Sequence, residues 1–193
     1  MSISSENAVP TKGGDAAPAP QFGRDQFLWF SSQLIHVKQE FLKPVMSQDG
    51  IQLCDLYFNI LQENAEEISF GEFLEDLDGW RFQEKLPENL LAESGTPSDG
   101  VHAWAARMTM MMWLFGMWMG ETENARLKGK TRQYFATTSG RPLQDYVISS
   151  RAYENGWIWR IAQAHPMGIS QFGFGSWAER PPALSDYGFE KIT

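Results

Sequence analysis

A single cysteine, Cys54, in 193 residues closes several routes at once. A disulfide within the chain is impossible, and so is a thiolate metal cluster built from this chain alone. A lone Cys reads first as an inert, buried small hydrophobe, and second as half of a bond to another chain in an oxidising compartment. Histidine is also scarce. His36, His102 and His165 are scattered, with no second His or Cys at i+3 or i+4 and no HExxH spacing, so no metal site is expected. Basic charge is in deficit: 16 Lys and Arg face 24 Asp and Glu, for a net charge of −8 and a pI near 4.9. Non-specific nucleic-acid binding rests on cationic neutralisation of phosphates, so no nucleic-acid partner is expected. The same deficit argues against adhesion to anionic lipid. No apolar run approaches the roughly 20 residues that cross a bilayer, so no transmembrane segment is expected. The first residues show neither a basic segment leading into an apolar one nor a twin-Arg pair, so no signal peptide is expected and the chain reads as cytoplasmic.

What is present is mostly helical patterning. Residues 1–22 are rich in Pro, Ala, Gly and Ser and read as a disordered arm. Residues 23–165 read as one helical domain, and residues 166–193 as an extended tail lying on its own or a partner's surface. The expected class is all-α, an irregular helical bundle. A helix capped by Asp25 is predicted to run to Leu42, with Phe27, Phe30, Leu34, Ile35, Phe41 and Leu42 on one stripe. Pro44 then stops it. A second helix spans about 51–63 with Leu53, Leu56, Tyr57, Ile60 and Leu61 inward. Ser69-Phe-Gly-Glu72 fits a capping box that opens a short helix closed by Asp78-Gly79. Pro87 starts another short helix. Residues 142–164 read as helical, divided at Gly156. No internal repeat is visible.

The densest apolar stretch is Ala103–Gly120, AWAARMTMMMWLFGMWMG, with six of the nine Met and three of the eight Trp. Asp99 is its expected cap and Gly120 its expected stop. Trp104, Met108, Met111, Met112, Phe115 and Trp118 would share a face. Gly116 lies inside, where it weakens a helix, so either a close approach by another element or a kink is expected there. A helix apolar nearly all round is either buried or the anchor of a contact. Thioethers suit Cu(I), but Met110 and Met117 point away from Met108, Met112 and Met119, and packing explains the cluster better.

No catalytic constellation emerges. There is no nucleophile elbow, and Phe172-Gly-Phe-Gly175 lacks the third Gly and the setting of a phosphate loop. Adjacent acids such as Glu66-Glu67 and Glu75-Asp76 do not face each other on a helix. After Glu123, residues Arg126, Lys128, Lys130, Arg132 and Arg141 form a locally basic run, either a solvated loop or a dock for an acidic surface.

The order of features resembles the small, non-catalytic (gamma-type) subunit of bacterial FAD-dependent sugar and polyol dehydrogenases, of the sorbitol, fructose, glucose and glucoside types. Phe27-Leu-Trp-Phe-Ser-Ser-Gln-Leu34, with the helix over Leu53–Leu61, is similar to the opening helices of that family, although Ile35-His36 stands where Thr-Gly is usual. Met112-Trp-Leu-Phe-Gly-Met117 is similar to its apolar helix ending in an aromatic-Gly turn. Asp145-Tyr146 through Trp177-Ala-Glu-Arg-Pro-Pro182 resembles its closing helix and tail. The resemblance implies a heterodimer with a large flavoprotein subunit that holds the FAD, often an iron–sulfur cluster, and the substrate site. A cytochrome c would be a candidate acceptor. This chain would hold no cofactor or metal and no catalytic residue, and would stabilise its partner and help it mature. Family members often begin with a twin-Arg signal and often carry a Cys before the tail motif. Neither is present here, so periplasmic placement would require export with the partner.

Large aromatics concentrate binding energy at interfaces. The expected partner contacts are therefore Trp113, Trp118, Trp157, Trp159, Phe172, Phe174 and Trp177. The rival is a self-contained helical ligand-binding protein or enzyme with a pocket lined by Met and Trp.

Overall fold

The computed structural model describes residues 21–42, 52–91, 100–136, 143–162 and 164. The helices are α1 (Gln21–Ile35), α2 (Gln39–Leu42), α3 (Leu53–Asn64), α4 (Glu67–Phe82), α5 (Val101–Phe115), α6 (Gly120–Arg126), α7 (Ser150–Glu154) and α8 (Trp157–Ile161). A 3₁₀ turn spans Lys130–Tyr134, and two short strands, β1 (Met117–Met119) and β2 (Asp145–Val147), pair antiparallel. The protein is mostly helical, as expected, with a two-stranded ribbon added. The tail beyond residue 165 and most of the N-terminal arm lie outside the described residues.

The apolar stretch supplies the central element. Along α5, Val101, Ala103, Trp104, Ala105, Ala106, Met108, Thr109, Met112 and Trp113 are all buried. Helices α1, α3, α4, α7 and α8 pack around it, together with β1 and the 3₁₀ turn. Small residues on one side of α5, Ala105 and Ala106, leave room for its neighbours. On the other side Trp104 meets Trp118, Tyr134 and Phe135 at ring separations of 6.2, 6.0 and 5.6 Å. The contacts with Trp118 and Phe135 are edge-on, a geometry that adds to simple area burial. A second aromatic group joins α1, α3, α4 and α5: Phe27 to Phe58, Phe30 to Phe73, and Tyr57 to Trp113 at 4.9 Å.

Several boundaries differ from the sequence reading, each for a local reason. The helix expected to run from Asp25 to Leu42 begins earlier, at Gln21, and breaks after Ile35. His36 takes a left-handed conformation, φ 53°, and the Val37 N–H reaches back to the Ser32 carbonyl at 3.2 Å. This satisfies an end carbonyl in the manner of a Schellman turn. After the break Phe41 is exposed, off the predicted stripe. The cap of α4 is Glu66, whose carboxylate accepts from the Ser69 N–H at 2.9 Å, so Ser69 is inside the helix and not its cap. Gly79 does not close α4, which continues to Phe82. Residues 88–91 form only turns after Pro87.

Helix α5 stops at Gly116, not Gly120. Gly116 is left-handed, φ 65°, and its N–H closes on the Met112 carbonyl. Ala152 backbone lies against it: a β-carbon built on Gly116 would sit 2.3 Å from the Ala152 carbonyl carbon. The close approach expected at this glycine is present, and it coincides with the helix end. The freed chain then runs extended, Met117 opposite Val147, Trp118 opposite Tyr146 and Met119 opposite Asp145. Strand β2 replaces part of the helix expected over 142–164. The predicted division at Gly156 holds, since it separates α7 from α8.

Candidate functional site

The residues expected to meet a partner separate into three groups. Trp113, Trp118 and Trp157 are 3%, 0% and 2% exposed. Trp113 stacks edge-on against Tyr57, Trp118 lies between Trp104 and Phe135, and Trp157 is covered by the Arg160 guanidinium 4.4 Å from its ring. This corrects the expectation for these three: they are core side chains with almost no surface left to offer. The physical reason is that α5 ends at Gly116, so the extended chain turns Trp118 back under the helix. Trp159 is half-buried, its indole N–H donating to the Tyr153 carbonyl at 2.8 Å and its ring edge-on to Tyr153. Phe172, Phe174 and Trp177 lie outside the described residues.

The charged interior is structural. Glu123 on α6 is buried between two guanidiniums. Arg107 of α5 donates its Nε–H to one carboxylate oxygen, and the Arg126 Nε lies 3.0 Å from the other. A buried carboxylate needs such partners to stay ionised. The basic run recognised in the sequence is thus partly engaged from within, through Arg126. Asp145 of β2 accepts from the N–H groups of Glu121 and Thr122, at 2.9 and 3.1 Å, and from the Thr122 hydroxyl. This ties the ribbon to the start of α6. Elsewhere Arg24 pairs with Asp55 at 3.2 Å, and His102 Nε2 lies 2.8 Å from Asp76 Oδ2.

Cys54 is buried, and burial, aided by the Asp55 carboxylate, pushes its thiol up to about 12. Such a thiol is a poor nucleophile near neutral pH. The Tyr57 hydroxyl is likewise pushed up by burial. Among the described residues, no group of three His, Cys, Asp or Glu side chains is arranged to hold a metal ion. No helix among them is long and apolar enough to cross a membrane.

The surface offers more than the interior. Phe82 is 92% exposed and Ile68 71%, both on α4. Beside the end of α4 a shallow groove of about 390 Å³ is lined by Trp80, Gln83, Lys85, Leu86, Pro87 and Glu88. These exposed side chains were not singled out in the sequence. Ile68 fell outside the expected helix, and Phe82 lay past its expected end at Gly79. The helical wheel of the full α4 would have put both opposite Phe70, Phe73 and Leu77.

No family model matches the chain, and no curated protein or solved structure matches it either.

Proposed function

We propose that the chain is a non-catalytic small subunit that binds, stabilises and helps mature the FAD-binding subunit of a sugar or polyol dehydrogenase. The motifs over Phe27–Leu34, Met112–Met117 and Asp145–Pro182 supply the identity of the partner. The observation that supports a partner at all is the near-complete exposure of Phe82, with Ile68 on the same helix, beside a core already filled by aromatic side chains. Phe82 stands at the end of α4 beside the groove lined by Trp80, Leu86 and Pro87, and apolar surface that is contiguous in this way is where a partner would seat. FAD, and an iron–sulfur cluster where one is used, would belong to the partner.

The rival reading, a pocket among Met and Trp, is less well supported. Trp104, Trp118, Tyr134 and Phe135 are in ring contact with one another, and Met108 and Met112 are buried on the same helix.

Co-expression with the flavoprotein expected to be encoded beside this chain, followed by size exclusion monitored at the flavin bands, tests the reading. The expected result is a stable complex whose flavin stays with the larger chain, together with poor recovery of either chain alone. A solitary chain that turns over a substrate would sink it.

A further inference from the structure

The outer face of α4 carries features that the fold itself does not use. Phe70, Phe73 and Leu77 point into the core. At 3.6 residues per turn, Ile68, Gly71, Glu72, Glu75, Gly79 and Phe82 fall on the opposite side, and all six are exposed. Ile68 and Phe82 mark the two ends of this strip, about 21 Å apart at 1.5 Å per residue. Between them lie two glycines with open space around them: a β-carbon on Gly71 or Gly79 would meet nothing within 4 Å. Glycine weakens a helix interior, and among the described residues no neighbouring element requires it here. Gly116 and Gly156 differ in that backbone atoms press against both.

Charge completes the pattern. Asp76 and Asp78 on the flank are engaged, with His102 and with Gln26. Glu72 and Glu75 on the strip itself make no ion pair among the described residues. The strip is therefore apolar at both ends, notched at two points and negative in the middle.

We infer that this face receives a helix of a partner protein, with Lys or Arg at its centre and apolar residues at both ends, seated closely over Gly71 and Gly79. Missing β-carbons let two helices approach to the short end of the usual 8–10 Å interaxial range. The cations would meet Glu72 and Glu75, and the apolar ends would cover Ile68 and Phe82. Among the described residues no such helix is present. The chain's one cation-rich run, Arg126–Arg132, is interrupted at Gly129, φ 80°. The segments outside the described residues carry at most one cation in excess of their acids. The inference rests on the reading of a protein partner, but not on that partner being a flavoprotein.

The test uses the full chain and three labelled peptides of about 18 residues, or five turns of helix. One has Lys at the centre of an amphipathic helix with Leu at both ends. One has Glu in place of Lys. One keeps the Lys but scrambles the apolar spacing. Fluorescence anisotropy at low and high salt should show the first binding at least about tenfold more tightly than the others, and weakening as salt screens the pair. Phe82→Ser should weaken it about fivefold or more, and so should Gly71→Ala with Gly79→Ala. The double glycine variant should at the same time melt at a higher temperature than the parent, so a folding defect cannot explain its loss of binding.

Equal binding of the scrambled peptide, no binding of the first, or full binding by the glycine variant would overturn the inference. Self-association of the chain in sedimentation that Phe82→Ser abolishes would make a second copy the occupant, and would overturn it equally. Failure to co-purify with a flavoprotein would count against the proposed function and leave this face standing. Failure of the peptide series would do the reverse.

Discussion

Replacing Gly116 by Ala tests how α5 is seated. Two separate costs arise at this one position. The first is conformational: Gly116 has φ 65°, and a side chain in the left-handed region costs about 1–2 kcal/mol. The second is steric: the new β-carbon would sit 2.3 Å from the carbonyl carbon of Ala152 and 2.4 Å from its oxygen and from the Tyr153 nitrogen. Those atoms are backbone and cannot swing aside, so α7 must shift, at the roughly 1–3 kcal/mol of an overpacked core. Together the change costs about 2–5 kcal/mol, a large part of the roughly 5–15 kcal/mol that holds a domain folded. With a urea m-value of about 2 kcal/mol/M, the midpoint should fall by about 1–2.5 M. Gly129→Ala is the control. Its φ is 80°, but its nearest neighbour, Asn124 Oδ1, is 4.0 Å away, so it carries the conformational cost alone. Its midpoint should fall by less than about 1 M. Urea unfolding of both variants, followed by far-UV circular dichroism, measures the difference. Equal shifts would mean that Ala152 does not press on Gly116, and the seating of α7 against the end of α5 would be wrong.

Other perturbations probe the interior and the caps. Glu123→Gln removes the carboxylate charge that faces Arg107, 13% exposed. Removing one partner of a buried pair costs about 3 kcal/mol or more, which lowers the melting temperature by about 6–12 °C in a chain of this size; a change under about 2 °C in calorimetry would remove Glu123 from the core's support. Cys54, its thiol pushed up to about 12, should resist a maleimide or disulfide reagent at about pH 8 in the native chain and react fully in denaturant; fast native labelling would show that α3 opens. The Glu66 carboxyl is held below its ordinary value of 4.5 by the Ser69 N–H. A lowered folded value means that its cap stabilises α4 above about pH 4.5 and loses that effect as pH falls through the folded value. Glu66→Gln should therefore lower the melting temperature at neutral pH by an amount that shrinks in acid, and a gap constant across pH would contradict the cap.

Much of the helical scaffold was legible because burial writes itself into period 3.6. Leu53, Tyr57 and Leu61 on α3 and Trp104, Met108 and Met112 on α5 show it. Positions set by a single backbone torsion were not. His36 looks like any helical residue, yet it turns left-handed and ends α1. Ser69 and Glu72 fit a capping box, but the Ser69 N–H is taken by Glu66, so the helix starts earlier. Strand β2 was invisible for another reason. A three-residue strand has too few positions for alternation to register, and its existence depends on where α5 stops, since its partners Met117, Trp118 and Met119 lie 26 to 30 residues away in sequence.

The high aromatic content pointed to an interface, and the error in that step lay in assuming that excess aromatics must be at the surface. A small helical core can absorb many rings when its central helix has both large and small sides, as α5 does with Trp104 and Trp113 set among Ala103, Ala105 and Ala106. The described indoles offered as anchors are therefore consumed inside, Trp159 in part. The proposed partner face rests instead on a mismatch between residues and their surroundings. An exposed Phe and a helical Gly with open space around it add little stability among the described residues. Phe82 and Ile68 are of the first kind, Gly71 and Gly79 of the second, and they share one face. If that face has no external role, Phe82→Ser and the double change Gly71→Ala, Gly79→Ala should leave every association of the chain unchanged while the glycine changes raise its melting temperature.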